Sequence, residues 1–152
     1  MNTHFLNKRL SHLLGYAGLI PFVALAAACW LVDPSWLGDF IKGQLAYGVI
    51  ILSFLGGLHW GATMLSGTLS IEQTRRALLW GVTPSLIAWL ATMTGGFGYA
   101  VLMAGFIAAY QVDKRTYPWY RLPDWLIDLR FRLTCVVVPS LALAVMAANV
   151  RG

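Results

Sequence analysis

Charge is scarce in this chain: Asp, Glu, Lys and Arg together make up 11% of its 152 residues, against about 25% in an average soluble domain. Cysteine is scarcer still. Cys29 and Cys135 stand alone, far apart, with no metal-ligand spacing around them, and both are expected to remain free because they fall near opposite faces of the membrane. Paired carboxylates, a nucleophile elbow, an HExxH pair and a phosphate-binding loop are all missing from the sequence. No metal site and no cofactor is therefore expected, and enzymatic activity is disfavoured.

What replaces charge is apolar surface. Hydrophobic residues account for 59% of the chain, and the mean hydropathy is +0.68. A water-soluble protein of this composition would have to leave much of that surface in contact with water, whereas a bilayer removes the cost. The formal net charge of +5 does not point to nucleic acid, because the basic residues sit at the ends of the apolar runs, where they set membrane topology. The expected fold is all-α, a polytopic five-helix transmembrane bundle forming a single domain with the lipid bilayer as its surroundings.

A helix crosses the hydrocarbon core with about 20 apolar residues. Five such stretches are read at about 13–32, 44–65, 77–93, 97–112 and 131–150. Asp33-Pro34-Ser35 stops the first, and Thr94-Gly95-Gly96 divides the third from the fourth as a tight hairpin. The first stretch is read as a retained span; an Ala-x-Ala-like site near Ala26 would, if cleaved, leave four. With the N-terminus inside, Lys8, Arg9, Arg75, Arg76, Lys114, Arg115, Arg121, Arg130 and Arg132 lie inside, and only Lys42 and Arg151 lie outside. Nine against two is a strong positive-inside bias, and it places the C-terminus outside. The connection from Asp113 to Arg130, with its tyrosines and tryptophans, is read as a segment lying in the inner headgroup zone.

Helix two carries the most unusual pattern. Ser53, Gly57 and Gly61 recur every four residues, with Gly48 and Gly56 alongside. Small residues at that spacing let a second backbone approach, either within the bundle or in a homo-oligomer. His59 is the only histidine within a span, and it is placed two to three turns from the outer end of helix two. Buried in lipid it needs a partner, for which a backbone carbonyl, Thr63, Thr83, Ser85 or a tyrosine are the candidates. Trp60 beside it is either a packing anchor or the wall of a small pocket. His4 and His12 are read as too far away to complete a haem or metal site with it. Pro21, Pro84 and Pro139 recur in helices one, three and five and are read as kinks, each releasing the carbonyl four residues back. Asp113 ends helix four and is expected either to pair with its basic neighbours or to hold the long loop. Away from their ends the spans contain no acidic or basic residue, which argues against a conventional pump.

One long motif resembles a known family. Tyr47-Gly48-x-x-Ile51-Leu52-Ser53-Phe54-Leu55-Gly56-Gly57-x-His59-Trp60-Gly61 is similar to the corresponding stretch of the small membrane proteins grouped as domain of unknown function 3429. Gly18-Leu19-Ile20-Pro21-Phe22, Pro84-Ser85-Leu86-Ile87-Ala88-Trp89 and Gln111-x-Asp113 support the likeness, which covers about 15–144. It implies an inner-membrane setting, bacterial or mitochondrial, and no established substrate, cofactor or reaction. The bacterial inner membrane is the expected location. The leading functional expectation is a non-enzymatic protein that assembles with or assists another membrane component. A small oligomeric transporter or channel is the alternative, and a haem- or quinone-binding protein centred on His59 is a further one.

Overall fold

The computed structural model describes residues 7–152; His4 lies outside them. Among the described residues every long element is a helix. α1 (Lys8–Ala17) and α2 (Ile20–Leu31) form one interrupted rod, followed by α3 (Leu37–Leu65), α4 (Ile71–Met93), α5 (Gly98–Thr116) and α6 (Asp124–Arg151). Among the described residues four stretches are long and apolar enough to cross a membrane: Lys8–Leu31, Pro34–Leu65, Gly95–Thr116 and Asp124–Arg151. α4 is long enough, but Glu72, Arg75 and Arg76 occupy its first turns and Thr83, Pro84 and Ser85 dilute its middle.

Local chemistry sets the helix ends. Ser70 and Gln73 form a reciprocal capping box that starts α4, each side chain accepting from the other's backbone N–H. Asp33 caps the turn between α2 and α3 by accepting from the backbone N–H and the hydroxyl of Ser35, and these two bonds hold its carboxyl below the ordinary range. Gly95, at φ +57°, makes the left-handed step between α4 and α5. At the far end of the chain the Arg151 guanidinium donates to the Cys29 and Val32 carbonyls, neutralising the exposed carbonyl end of α2.

The expected proline kinks divide. Pro84 and Pro139 lie inside continuous helices. Pro21 does not: the rod breaks before it, at Gly18-Leu19, and Pro21 stands in the first turn of α2, where its missing N–H costs nothing. Tyr47 of α3 donates to the Gly18 carbonyl at that break, at 2.8 Å. The hydroxyls of Thr83 and Ser140 go to Leu79 and Val136, each adjacent to the carbonyl a proline releases.

The small residues of α3 also divide, into two faces. Gly48 and Gly56 are buried. A Cβ on Gly48 would meet the Leu102 side chain at 2.9 Å, and one on Gly56 would meet the Gly81 carbonyl oxygen at 2.5 Å and Pro84 at 3.1 Å. Here the α3 and α4 backbones touch. Trp60 completes the contact by lying over Gly81, where a Cβ would meet its ring at 2.3 Å, and by donating its indole N–H to the Leu78 carbonyl. Gly57 and Gly61 are exposed, with nothing within 4 Å. Ser53, part-buried, spends its hydroxyl on the Val49 carbonyl.

The two faces should respond oppositely to one methyl group. Gly56→Ala drives a Cβ into backbone that cannot give way and is expected to destabilise the detergent-solubilised protein by about 1–3 kcal/mol. Gly57→Ala is expected to be neutral or stabilising by up to about 1 kcal/mol through helix propensity. Thermal unfolding of the two variants side by side measures the difference.

Candidate functional site: a buried His–Asp–Arg–Tyr cluster

The most polar place in the bundle interior lies where α3 ends, α5 ends and α6 begins. His59 stands six residues before the end of α3. It is therefore near the end that the positive-inside pattern assigns to the interior of the cell, and the expected position near the outer end is corrected. The last turns of α3 approach the Asp113 connection.

That connection is also shorter than the sequence suggested. α5 continues to Thr116 and α6 starts at Asp124, so only 117–123 lie between helices, and they fold against the bundle. Tyr117 and Tyr120 are buried there with Ala77, beneath Trp119, Leu122 and Leu126. Arg121 takes a left-handed φ of 56° to close the turn. Lengthening α5 and α6 draws Asp113 and Arg130 into helices, each with less than a tenth of its surface exposed. Both stand near helix ends, Asp113 in the last turn of α5 and Arg130 in the second turn of α6, and both are buried.

An isolated charge so placed would cost several kcal/mol, so it must be paired. Asp113 is paired on both oxygens. Oδ2 accepts from Arg130 Nε at 2.8 Å and from the Tyr117 hydroxyl at 3.3 Å. Oδ1 lies 2.7 Å from His59 Nε2. A carboxylate only accepts, so Nε2 carries the hydrogen and Nδ1 of a neutral imidazole is free to accept. The Tyr120 hydroxyl, 2.8 Å from Nδ1, supplies that bond. Burial pushes the Tyr120 phenol above its usual value, partly offset by the Thr63 and Thr116 hydroxyls beside it. Burial acts on Tyr117 in the same direction, reinforced by the Asp113 charge. Both phenols are thus neutral donors at pH 7. Thr63 completes the setting by donating to the His59 carbonyl at 2.6 Å.

The candidate residues named from the sequence separate accordingly. His59 and Asp113 come together. Thr63 and a tyrosine, both expected near His59, are there. Thr83 and Ser85 are not: Thr83 bonds its own helix, and Ser85 is exposed on α4. Trp60 points to α4 as a packing anchor. His12 lies at the same end but stacks on Trp125, with ring centroids 5.3 Å apart, and its Nδ1 is 2.7 Å from the Lys8 carbonyl oxygen. Among the described residues no three metal-ligating side chains converge, and the two cysteines are free.

Sequence reasoning missed Arg130, Tyr117 and Tyr120, which were assigned to inner-surface charge and interfacial anchoring. It missed a second polar knot as well. Gln44, fully buried, donates to the Phe22 carbonyl at 2.9 Å and accepts from the Tyr99 hydroxyl at 2.9 Å, joining α2, α3 and α5. A glutamine and a tyrosine at the starts of apolar helices were the available signal.

The His59–Asp113–Arg130–Tyr120 cluster holds α3, α5, the 117–123 turn and α6 together through bonds that water cannot replace. Removing one partner strands a buried charge. Asp113→Ala and Arg130→Ala are each expected to destabilise by about 3–5 kcal/mol, and Tyr120→Phe by about 0.5–1.5 kcal/mol. The neutral pair Asp113→Asn with Arg130→Gln should recover more than half of either alanine loss. Denaturation in a mild detergent, followed by near-ultraviolet circular dichroism, reads all four.

Residues 7–146 match the family described as protein of unknown function DUF3429. Transmembrane protein 69 from Xenopus tropicalis is 34% identical over 140 residues, covering 90% of this chain and 54% of the relative. Transmembrane protein 69 from Mus musculus is 28% identical over 137 residues, covering 88% and 54%. The chain thus spans about half the length of the curated relatives it matches. No solved structure matches it. A helical fold with long apolar rods and relatives named as transmembrane proteins make this a multi-pass membrane protein, and the chain belongs to the DUF3429 family.

Proposed function

We propose that this protein is a non-catalytic accessory component of a bacterial-type inner membrane, crossing it five times and docking through α3 against a helix of another membrane protein. The observation that carries this reading is the outward glycine face. Gly57 and Gly61, four residues apart, are exposed with open space where a Cβ would stand, while Gly48, Gly56, Gly81 and Gly105 are filled by neighbours from within the bundle. In lipid, helices associate by close backbone approach rather than by the hydrophobic effect, and a small-xxx-small face permits it. Phe54 and Met64, both exposed, flank the dent and supply the surrounding contact surface.

Two further features support the topology in this proposal. Arg132 of α6 donates to the Tyr16 hydroxyl of α1 at 3.4 Å, and His12 meets Trp125, so the starts of α1 and α6 share one end of the bundle. That end also holds the α3–α4 and α5–α6 connections, and with them the nine basic residues of the inner side. α4 is the fifth crossing, with its charged first turns at the inner surface.

Purification in gentle detergent at native expression level, with mass spectrometry of what comes along, tests the reading. The wild type is expected to bring down one membrane protein in near-stoichiometric amount. Gly57→Ile and Gly61→Ile together should reduce that yield at least tenfold without lowering the thermal stability of the chain itself. A wild type that elutes as a lone monomer would sink the proposal. A lone homo-oligomer dissolved by the same substitutions would replace the partner with a second copy.

A further inference from the structure

Arg130 has one nitrogen that the cluster does not use. Nε is bonded to Asp113 at 2.8 Å, and Nη1 makes a long contact to Thr134 Oγ1 at 3.5 Å. Nη2 is buried and has no hydrogen-bond partner. A buried guanidinium N–H left unbonded is costly, and such a group calls for an acceptor. Arg130 also lines, with Thr134, a partly enclosed cleft of about 150 Å³ whose other walls are apolar, among them Gly15 and Gly18 at the α1–α2 break, Phe54, Phe106 and Leu133. The break in the first rod leaves this gap against α3 and α6: Gly15 and Gly18 present no side chain to fill it.

We propose that this cleft is a binding site for a membrane-borne carbonyl compound, with the Arg130 guanidinium turning Nη2 toward the cleft to donate to the carbonyl oxygen and the apolar body lying between α1, α3 and α6. Three observations fix the class. The lining is apolar apart from Arg130 and Thr134, so the ligand body is apolar. The orphan group is a donor, so the ligand supplies an acceptor. The Arg130 charge is already matched by Asp113 at 2.8 Å, so an added anion would leave a net negative charge in a low-dielectric site, and a neutral carbonyl would not. The size suits a single ring or a short length of acyl chain, since an apolar cavity of about 150 Å³ accepts benzene. A ring ketone of the quinone type and the ester carbonyl of a glycerolipid share this chemistry. The inference does not rest on the α3 docking face, with whose named residues the cleft shares only Phe54.

The test uses the purified full chain in a lipid-free detergent micelle with two probes. Decylbenzoquinone is titrated by calorimetry. Diester phosphatidylethanolamine is compared with its diether analogue, which lacks the carbonyls, by native mass spectrometry. Saturable binding of one decylbenzoquinone per chain assigns the ring carbonyl, and selective retention of the diester over the diether lipid assigns the ester. In either case Arg130→Lys, which keeps the charge beside Asp113 but lacks the second nitrogen, should weaken binding at least tenfold. Gly15→Leu, whose Cβ meets only the Leu133 and Leu129 methyls at 3.4 and 3.5 Å, should block the cleft and weaken binding as much while leaving the ion pair intact. If Arg130→Lys fails to fold, Gly15→Leu decides. No saturable binding of either probe, full binding by both variants, or tighter binding of decanoate than of both probes would overturn the proposal.

Discussion

Everything at one end of this bundle depends on a single carboxylate. Asp113 carries a charge at a depth where water does not reach it, and a bare charge there is not compatible with folding. Its two oxygens therefore dictate the neighbourhood. One requires the Arg130 guanidinium, which fixes the start of α6 against the end of α5. The other requires His59, which fixes the end of α3. The imidazole in turn requires Tyr120, which tucks the 117–123 turn beneath the helices. Four segments distant in sequence are brought to one point by the need to pair one buried carboxylate and the groups that bind it.

A different constraint governs the middle of the bundle. With lipid outside, apolar side chains gain little by turning inward, and close contact depends on shape. Gly56 and Gly81 let α3 and α4 meet backbone to backbone, and Trp60 closes the seam from the side. α3 thus uses one glycine face inside the fold and offers another to the membrane. The same residue type serves opposite ends, distinguished only by which side of one helix it occupies.

The helical, lipid-embedded character was legible in composition, and Gly95 marked the α4–α5 turn because only a flexible residue suits its positive φ. His59 was legible as a residue in need of a partner. The identity of that partner was not. Asp113 and Arg130 read as surface charge because each lies among other basic and acidic residues: Lys114 and Arg115 beside one, Asp128 and Arg132 beside the other. Helical periodicity distinguishes them only if α5 and α6 are extended past the apolar stretch, which hydropathy discourages. Pro21 read as a kink because its neighbours were apolar on both sides, and the helix break two residues before it rests on a tertiary bond from Tyr47.

The polar knots also carry a timetable. Gln44 is matched by Tyr99, 55 residues later in the chain, and His59 by Asp113, 54 residues later. A ribosome makes these pairs in sequence, so α3 enters the membrane with an amide oxygen and an imidazole whose lasting partners have not yet been synthesised. Until α5 emerges those groups must stay in contact with water, the insertion machinery or one another. α3 therefore cannot settle fully into lipid on its own, and the early helices of this protein wait at the insertion site for the late ones.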